Sequence, residues 1–180
     1  MYDHPVYSKN VLEFITVAND FSLTFARIES VKKSWLTNYL QKIIPLIYIK
    51  ASLIPAIEAS NPEANEKYFK EEEWESVFNQ LRKKFGEDNE FWYIDHFSSD
   101  IEPVKSSLAE CLADIYQDIT DFLTLYQKNS LDAKENAVNE IRNSFETRLG
   151  FLLVNVQQAL HYAIMNKRGN LANEEAEGFF

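Results

Sequence analysis

Ile43 to Ile57 reads IIPLIYIKASLIPAI, the most apolar stretch of the chain. At helical spacing Tyr39, Ile43, Ile47 and Ile54 fall on one face, so the stretch reads as part of a helix laid against a core. Its one charge, Lys50, lies in the middle of that face. An ammonium placed there must find a counter-charge, shift its pKa or reach water along its aliphatic stem. The stretch is too short to cross a bilayer, and Pro45 and Lys50 interrupt it. No membrane association is expected.

Helical patterns extend from it in both directions. Upstream, Lys9 to Ile28 carries one stripe of Phe14, Ala18, Phe21 and Phe25 and a second of Leu12, Ile15, Asn19 and Leu23, with Ser8 in the N-cap position. A helix apolar on two faces is expected between neighbours. The second helix spans Val31 to Ala56. Pro45 in its interior deletes one hydrogen bond and crowds the carbonyl of Gln41, so a kink is expected there. The third, Lys67 to Phe85, begins in Glu71, Glu72 and Glu73 and ends in Arg82, Lys83, Lys84 and Gly86, an order that suits the helix dipole. Residues 86–106 read as irregular: Phe91 to Ile94 has extended character but no second strand to pair with.

Ser107-x-x-Glu110 is a capping box that opens a fourth helix running to Gln127, with a core stripe of Leu108, Leu112, Ile115, Ile119, Phe122 and Tyr126. Asp132-x-x-Glu135 reads as a second box, opening a long fifth helix to Asn166. Val138, Ile141, Phe145, Leu149, Leu152, Val156 and Ala163 form its stripe. The expected fold is all-α: one helical-bundle domain of about five helices over residues 1–168, followed by a flexible acidic tail over 169–180. Four Gly and five Pro in 180 residues are too few for the turns of a sandwich or barrel.

A net charge of −10 argues against direct nucleic-acid binding, which needs clustered Lys and Arg to neutralise phosphates. The lone Cys111 excludes an internal disulfide, and its apolar neighbours mark it as a buried small hydrophobe. The start of the chain has neither the basic region nor the apolar run of a signal peptide, so a cytoplasmic location is expected.

Two features carry candidate chemistry. On the fourth helix Asp114 and Asp118 stand at i, i+4 spacing, where like charges repel and invite a cation between them. On the fifth, Arg148, Asn155 and Tyr162 recur every seven residues as a polar stripe beside the apolar one. These residues with Lys50 form the candidate cluster, with Asp118 the expected partner of Lys50, Asp114 the second choice and Arg148 a neighbour in a shared groove. The blander expectation is an ion pair that fixes helix register; the sharper one is a small-molecule or metal-dependent hydrolase. No metal or cofactor is expected, since Glu-x-x-His pairs are absent and His4, His96 and His161 are scattered. Glu72-x-x-Glu75 and Asp118-x-x-Asp121 are spaced as in magnesium-binding helical hydrolases, a spacing common in any acidic helix. Asp95-His96 has no nucleophile beside it.

The chain finishes NLANEEAEGFF. Acidic residues followed by Phe179, Phe180 and a terminal carboxylate suit a basic, apolar pocket on a partner. The expected function is therefore a non-enzymatic protein-interaction or scaffolding module whose partner is another protein. Self-association is compatible with the two-faced helices.

Three segments carry a resemblance: LQKIIPLIYIKASLIP (Leu40 to Pro55), LADIYQDITDF (Leu112 to Phe122) and Phe145 to His161, with VLEFITVAND (Val11 to Asp20) in support. Together they resemble a bacterial family, met chiefly among Bacteroidetes, that is known only as a domain of unknown function. The resemblance implies an intracellular, mostly helical protein and brings no catalytic role to any residue. Where relatives tend to read tryptophan-glycine, this chain has Leu149-Gly150.

Overall fold

The helical stripes assemble around one another in a computed structural model that describes residues 4–95 and 102–177, with side chains of the last helix described to Asn166. Helix α1, Lys9–Phe25, buries Phe14, Ala18, Phe21 and Phe25 completely. It packs on both α2 (Lys33–Ser52) and α4 (Leu108–Tyr126). It does so through a single face, since Leu12 and Leu23 of the expected second stripe are exposed. Ser8 occupies the N-cap position, but its hydroxyl accepts no capping bond.

Helix α2 continues through Pro45 and buries Leu36, Leu40, Ile43, Ile44, Ile47 and Ala51. Proline cannot donate to the carbonyl of Gln41. That acceptor is met instead from across the bundle, by Nε2 of Gln157 at 3.4 Å. Helix α3, Glu71–Phe85, packs on α4 through Val77, Leu81 and Phe85. Its C-terminal end is tied to the start of α2: Lys33 Nζ donates to the Phe85 carbonyl at 2.6 Å and pairs with Asp88 at 2.8 Å.

The segment expected to be irregular contains a hairpin. Strand β1, Glu90–Ile94, pairs antiparallel with β2, Pro103–Ser107, in a register that sets Trp92 opposite Lys105. The missing partner is PVKSS, which has no apolar alternation because most of β2 faces solvent. The hairpin leads directly into α4. There Ser107 Oγ accepts the Glu110 N–H at 3.2 Å, the capping bond that the sequence predicts. Buried Asn89 adds a second acceptor, taking the Ala109 N–H at 2.9 Å.

Helix α4 is the hub, in contact with α1, α3, α5 and α6. Its predicted stripe is buried from Leu108 to Phe122, with Tyr126 at the edge. The expected fifth helix is helical throughout but divided: α5 is Leu131–Ser144, a π-helical turn covers Phe145–Leu149, and α6 is Gly150–Glu177. Five rods thus form an all-α bundle with one small hairpin, and the long C-terminal helix is the last of them. Its first cap differs from expectation, since Ser130 rather than Asp132 precedes it. Glu135 is withdrawn from the helix end and buried, accepting the Ser60 N–H at 2.8 Å and facing His4 Nε2 at 3.2 Å. It anchors the loop between α2 and α3 instead of capping α5.

Candidate functional site

The sequence cluster divides in three. Lys50 does not meet Asp118. Its ammonium lies 2.7 Å from Glu13 Oε2 on α1, and only a quarter of its side chain is exposed. The Lys50 bond holds the Glu13 carboxyl below its usual range. The register between α1 and α2 decides this pairing, and a single-helix projection does not contain it. The cation between Asp114 and Asp118 is Arg148. Its guanidinium reaches Asp114 Oδ2 at 3.4 Å and bonds Asp118 Oδ1. Asn155 is half-buried on α6 outside this cluster, and Tyr162 lies exposed further along the same helix.

Two side chains outside the predicted set complete the cluster. Ser144 Oγ donates to Asp118 Oδ2 at 2.6 Å, and Trp74 Nε1 donates to Asp114 at 2.8 Å. Both reach in from neighbouring helices. Burial pushes the Asp118 carboxyl above the ordinary aspartate range, against the opposing pull of Ser144 and Arg148. The π-helical turn sets Arg148 against α4. Within it the Gly150 N–H donates to the Phe145 carbonyl, and a Cβ on Gly150 would stand 2.7 Å from that oxygen.

A cavity of about 330 Å³ opens beside the cluster, lined in part by Glu66, Gln117, Asp121 and Thr147. Asp121 is committed to the backbone, accepting the N–H groups of Tyr68 at 2.9 Å and Phe69 at 2.8 Å. Among the described residues no three His, Cys, Asp or Glu converge on a point where an ion would sit. Each of these carboxylates thus has a structural partner, and the fork of Arg148 is shared between two of them. The arrangement locks α3, α4 and α5 together through charge-assisted bonds. Cys111 is buried, and burial raises its thiol pKa, the opposite of an activated nucleophile. His96 and the tail pair Phe179 and Phe180 lie outside the described residues.

A second feature was not anticipated. Between α2 and α6 runs an apolar groove of about 690 Å³, walled by Pro45, Tyr48 and Ile49 on one side and by Val154, Tyr162 and Met165 on the other. Ile49 is 53% exposed, Val154 52% and Tyr162 69%. Gln157, which serves the Gln41 carbonyl, also lines it. The sequence held a signal for it in its charges. None of the 28 Asp and Glu residues lies between Val31 and Ile57 or between Thr147 and Asn173, the stretches that supply the two walls. The charged residues of these two stretches are all cationic, and among the described residues none of them lines the groove.

The fold and this geometry can be set beside known proteins. Residues 5–166 match a family described as a domain of unknown function, DUF5063. The chain belongs to that family. It is also similar to the crystal structure of a protein from Bacteroides fragilis, with 34% sequence identity and a TM-score of 0.78 over 88% of this chain and 94% of that one. No curated protein matches the chain. No described helix is long and apolar enough to cross a membrane.

Proposed function

We propose that this protein is a non-enzymatic helical interaction module, acting in the cytoplasm, whose docking surface is the groove between α2 and α6. The observation that carries this reading is the exposure of Ile49, Val154 and Tyr162 around one apolar concavity. Singly exposed apolar residues are normal on a protein surface, whereas a contiguous patch rimmed by polar groups marks a contact with another molecule. The rim here is glutamine, histidine and tyrosine, groups that tolerate either water or a partner. A groove between two helices accommodates an apolar segment of another chain, with side chains spaced along it as anchors. The overall charge of −10 disfavours nucleic acid as that partner.

The Asp114–Asp118–Arg148 cluster supports an architectural role rather than the hydrolase alternative. Both carboxylates share the one guanidinium, and each holds a further bond, Asp118 from Ser144 and Asp114 from Trp74, so both are engaged in ties between helices.

A photo-crosslinking amino acid at position 162 tests the docking surface, with the same group at position 23 as control. Tyr162 and Leu23 are almost equally exposed, at 69% and 68%, so collisional labelling is matched. Discrete adducts from position 162 and none from position 23 are expected in cells. Equal labelling from both would contradict the reading.

A further inference from the structure

We infer that the π-helical turn at Phe145–Leu149 couples the Arg148 ion cluster to the α2/α6 groove, so that releasing Arg148 from Asp118 unpins one wall of the groove. The inference rests on the interaction-module reading above and adds a control to its docking surface. One turn touches both features. Arg148 reaches from it to Asp114 and Asp118 on α4. Phe145, at its start, sets its ring edge-on to Tyr48 of α2, with centroids 5.1 Å apart. Tyr48 lines the groove, and α6, the opposite wall, begins where the turn closes at Gly150.

A π-turn takes up one residue more than an α-turn, so an α-helical arrangement lies next to it. Its closing bond runs from the Gly150 N–H to the Phe145 carbonyl. Only a residue without Cβ fits there, since that carbon would stand 2.7 Å from the oxygen. Leu153 and Val156 are buried, which keeps α6 from rotating as a whole and confines movement to the turn. The other directional contact between the walls is weak by comparison. Gln157 Nε2 reaches the Gln41 carbonyl at 3.4 Å, and its Oε1 is buried without a partner among the described residues. The ring pair therefore sets the position of Tyr48, and Arg148 is the positioning residue behind it.

A proton at Asp118 is the input. Around its carboxyl stand Arg148 from the turn, Asp114 and Asp121 from its own helix, Glu140 from α5, and Glu66 and Lys67 from the loop before α3. Burial holds that carboxyl above the ordinary aspartate range, so the native state takes up the proton more readily than the unfolded chain does. Protonation therefore does not oppose folding, yet it neutralises the acceptor of Arg148. Asp114 Oδ2, at 3.4 Å, is the contact that remains, while Asp121 is held by the N–H groups of Tyr68 and Phe69.

Fluorine NMR of the full chain carrying a fluorotyrosine at position 48 tests the coupling, in wild-type, Asp118→Asn, Arg148→Met and His161→Gln backgrounds. His161→Gln removes the titratable group of the groove itself. Circular dichroism checks each fold, and Asp118→Asn is isosteric, so the test survives if Arg148→Met fails to fold. In the wild type the resonance should move as pH falls through the native Asp118 pKa, and His161→Gln should leave that movement in place. Asp118→Asn and Arg148→Met should hold the resonance near the wild type's acid position at every pH. Crosslinking from position 162 should fall several-fold in both.

A resonance that is the same in Asp118→Asn, Arg148→Met and wild type overturns the inference, as does movement that His161→Gln abolishes. Discrete adducts from position 162 would still uphold the interaction-module reading in either case. If the resonance behaves as expected while positions 162 and 23 label equally, the coupling is supported and the interaction-module reading fails.

Discussion

Lys50 and Asp118 show how a charge is judged by what its neighbours place beside it. Lys50 looked expensive in an apolar run, yet Glu13 of α1 lies 2.7 Å away and a quarter of the lysine side chain stays exposed. Asp118 carries the larger burden. It is the more buried end of its ion pair, with 14% of its side chain exposed against 46% for Arg148. Its carboxyl pKa is raised above the unfolded value, so the native state holds the proton more tightly than the unfolded chain does. This group's contribution to stability is therefore full below the ordinary aspartate pKa and declines as pH rises through the native value. Asp118→Asn removes that dependence. Thermal melts across the acid range should show the Asn variant gaining on the wild type as pH rises through this window. An Asn variant that loses ground to the wild type as pH rises would contradict the assignment.

At the scale of elements, most helices were legible because periodicity and caps are local. The α4 stripe and the Ser107 box needed nothing from elsewhere in the chain. What was not legible depended on a partner. Strand β1 was visible as an aromatic run, but β2 is mostly exposed and patterned for solvent, so the pairing left no trace in PVKSS. The division of the last rod was hidden for a different reason. A π-helical turn inserts one residue while keeping apolar positions on both sides turned inward, as burial of Ile141, Leu149 and Val156 shows. The box-like Asp132-x-x-Glu135 misled because Glu135 serves a backbone N–H from another loop.

Gly150 belongs to this scale. In an ordinary helix interior, Gly→Ala stabilises by up to about 1 kcal/mol. Here the added carbon would meet the Phe145 carbonyl at 2.7 Å, so the turn must shift and with it Arg148. Gly150→Ala should instead destabilise by roughly 1 to 3 kcal/mol in urea unfolding, the usual range for overpacking. A stabilised variant would show that the π-helical turn relaxes to α-helix without cost.

Over the whole molecule, the informative pattern is the partition of charge. An anionic chain keeps every carboxylate out of the two stretches that form one apolar groove, and its last residues combine glutamates with two phenylalanines. The candidate cluster was partly legible: Asp114, Asp118 and Arg148 do come together, while Lys50 and Tyr162 belong to other surfaces. The groove was not, because it arises where α2 and α6 meet and a stripe on either helix alone reads as core. The account stands or falls on whether that groove is covered by another chain in solution. The most direct measurement is affinity capture with wild-type, Ile49→Glu and Leu23→Glu chains of equal thermal stability. The account predicts that bound chains, whether further copies or other proteins, are retained by wild type and Leu23→Glu and lost from Ile49→Glu. Identical retention by all three would contradict it.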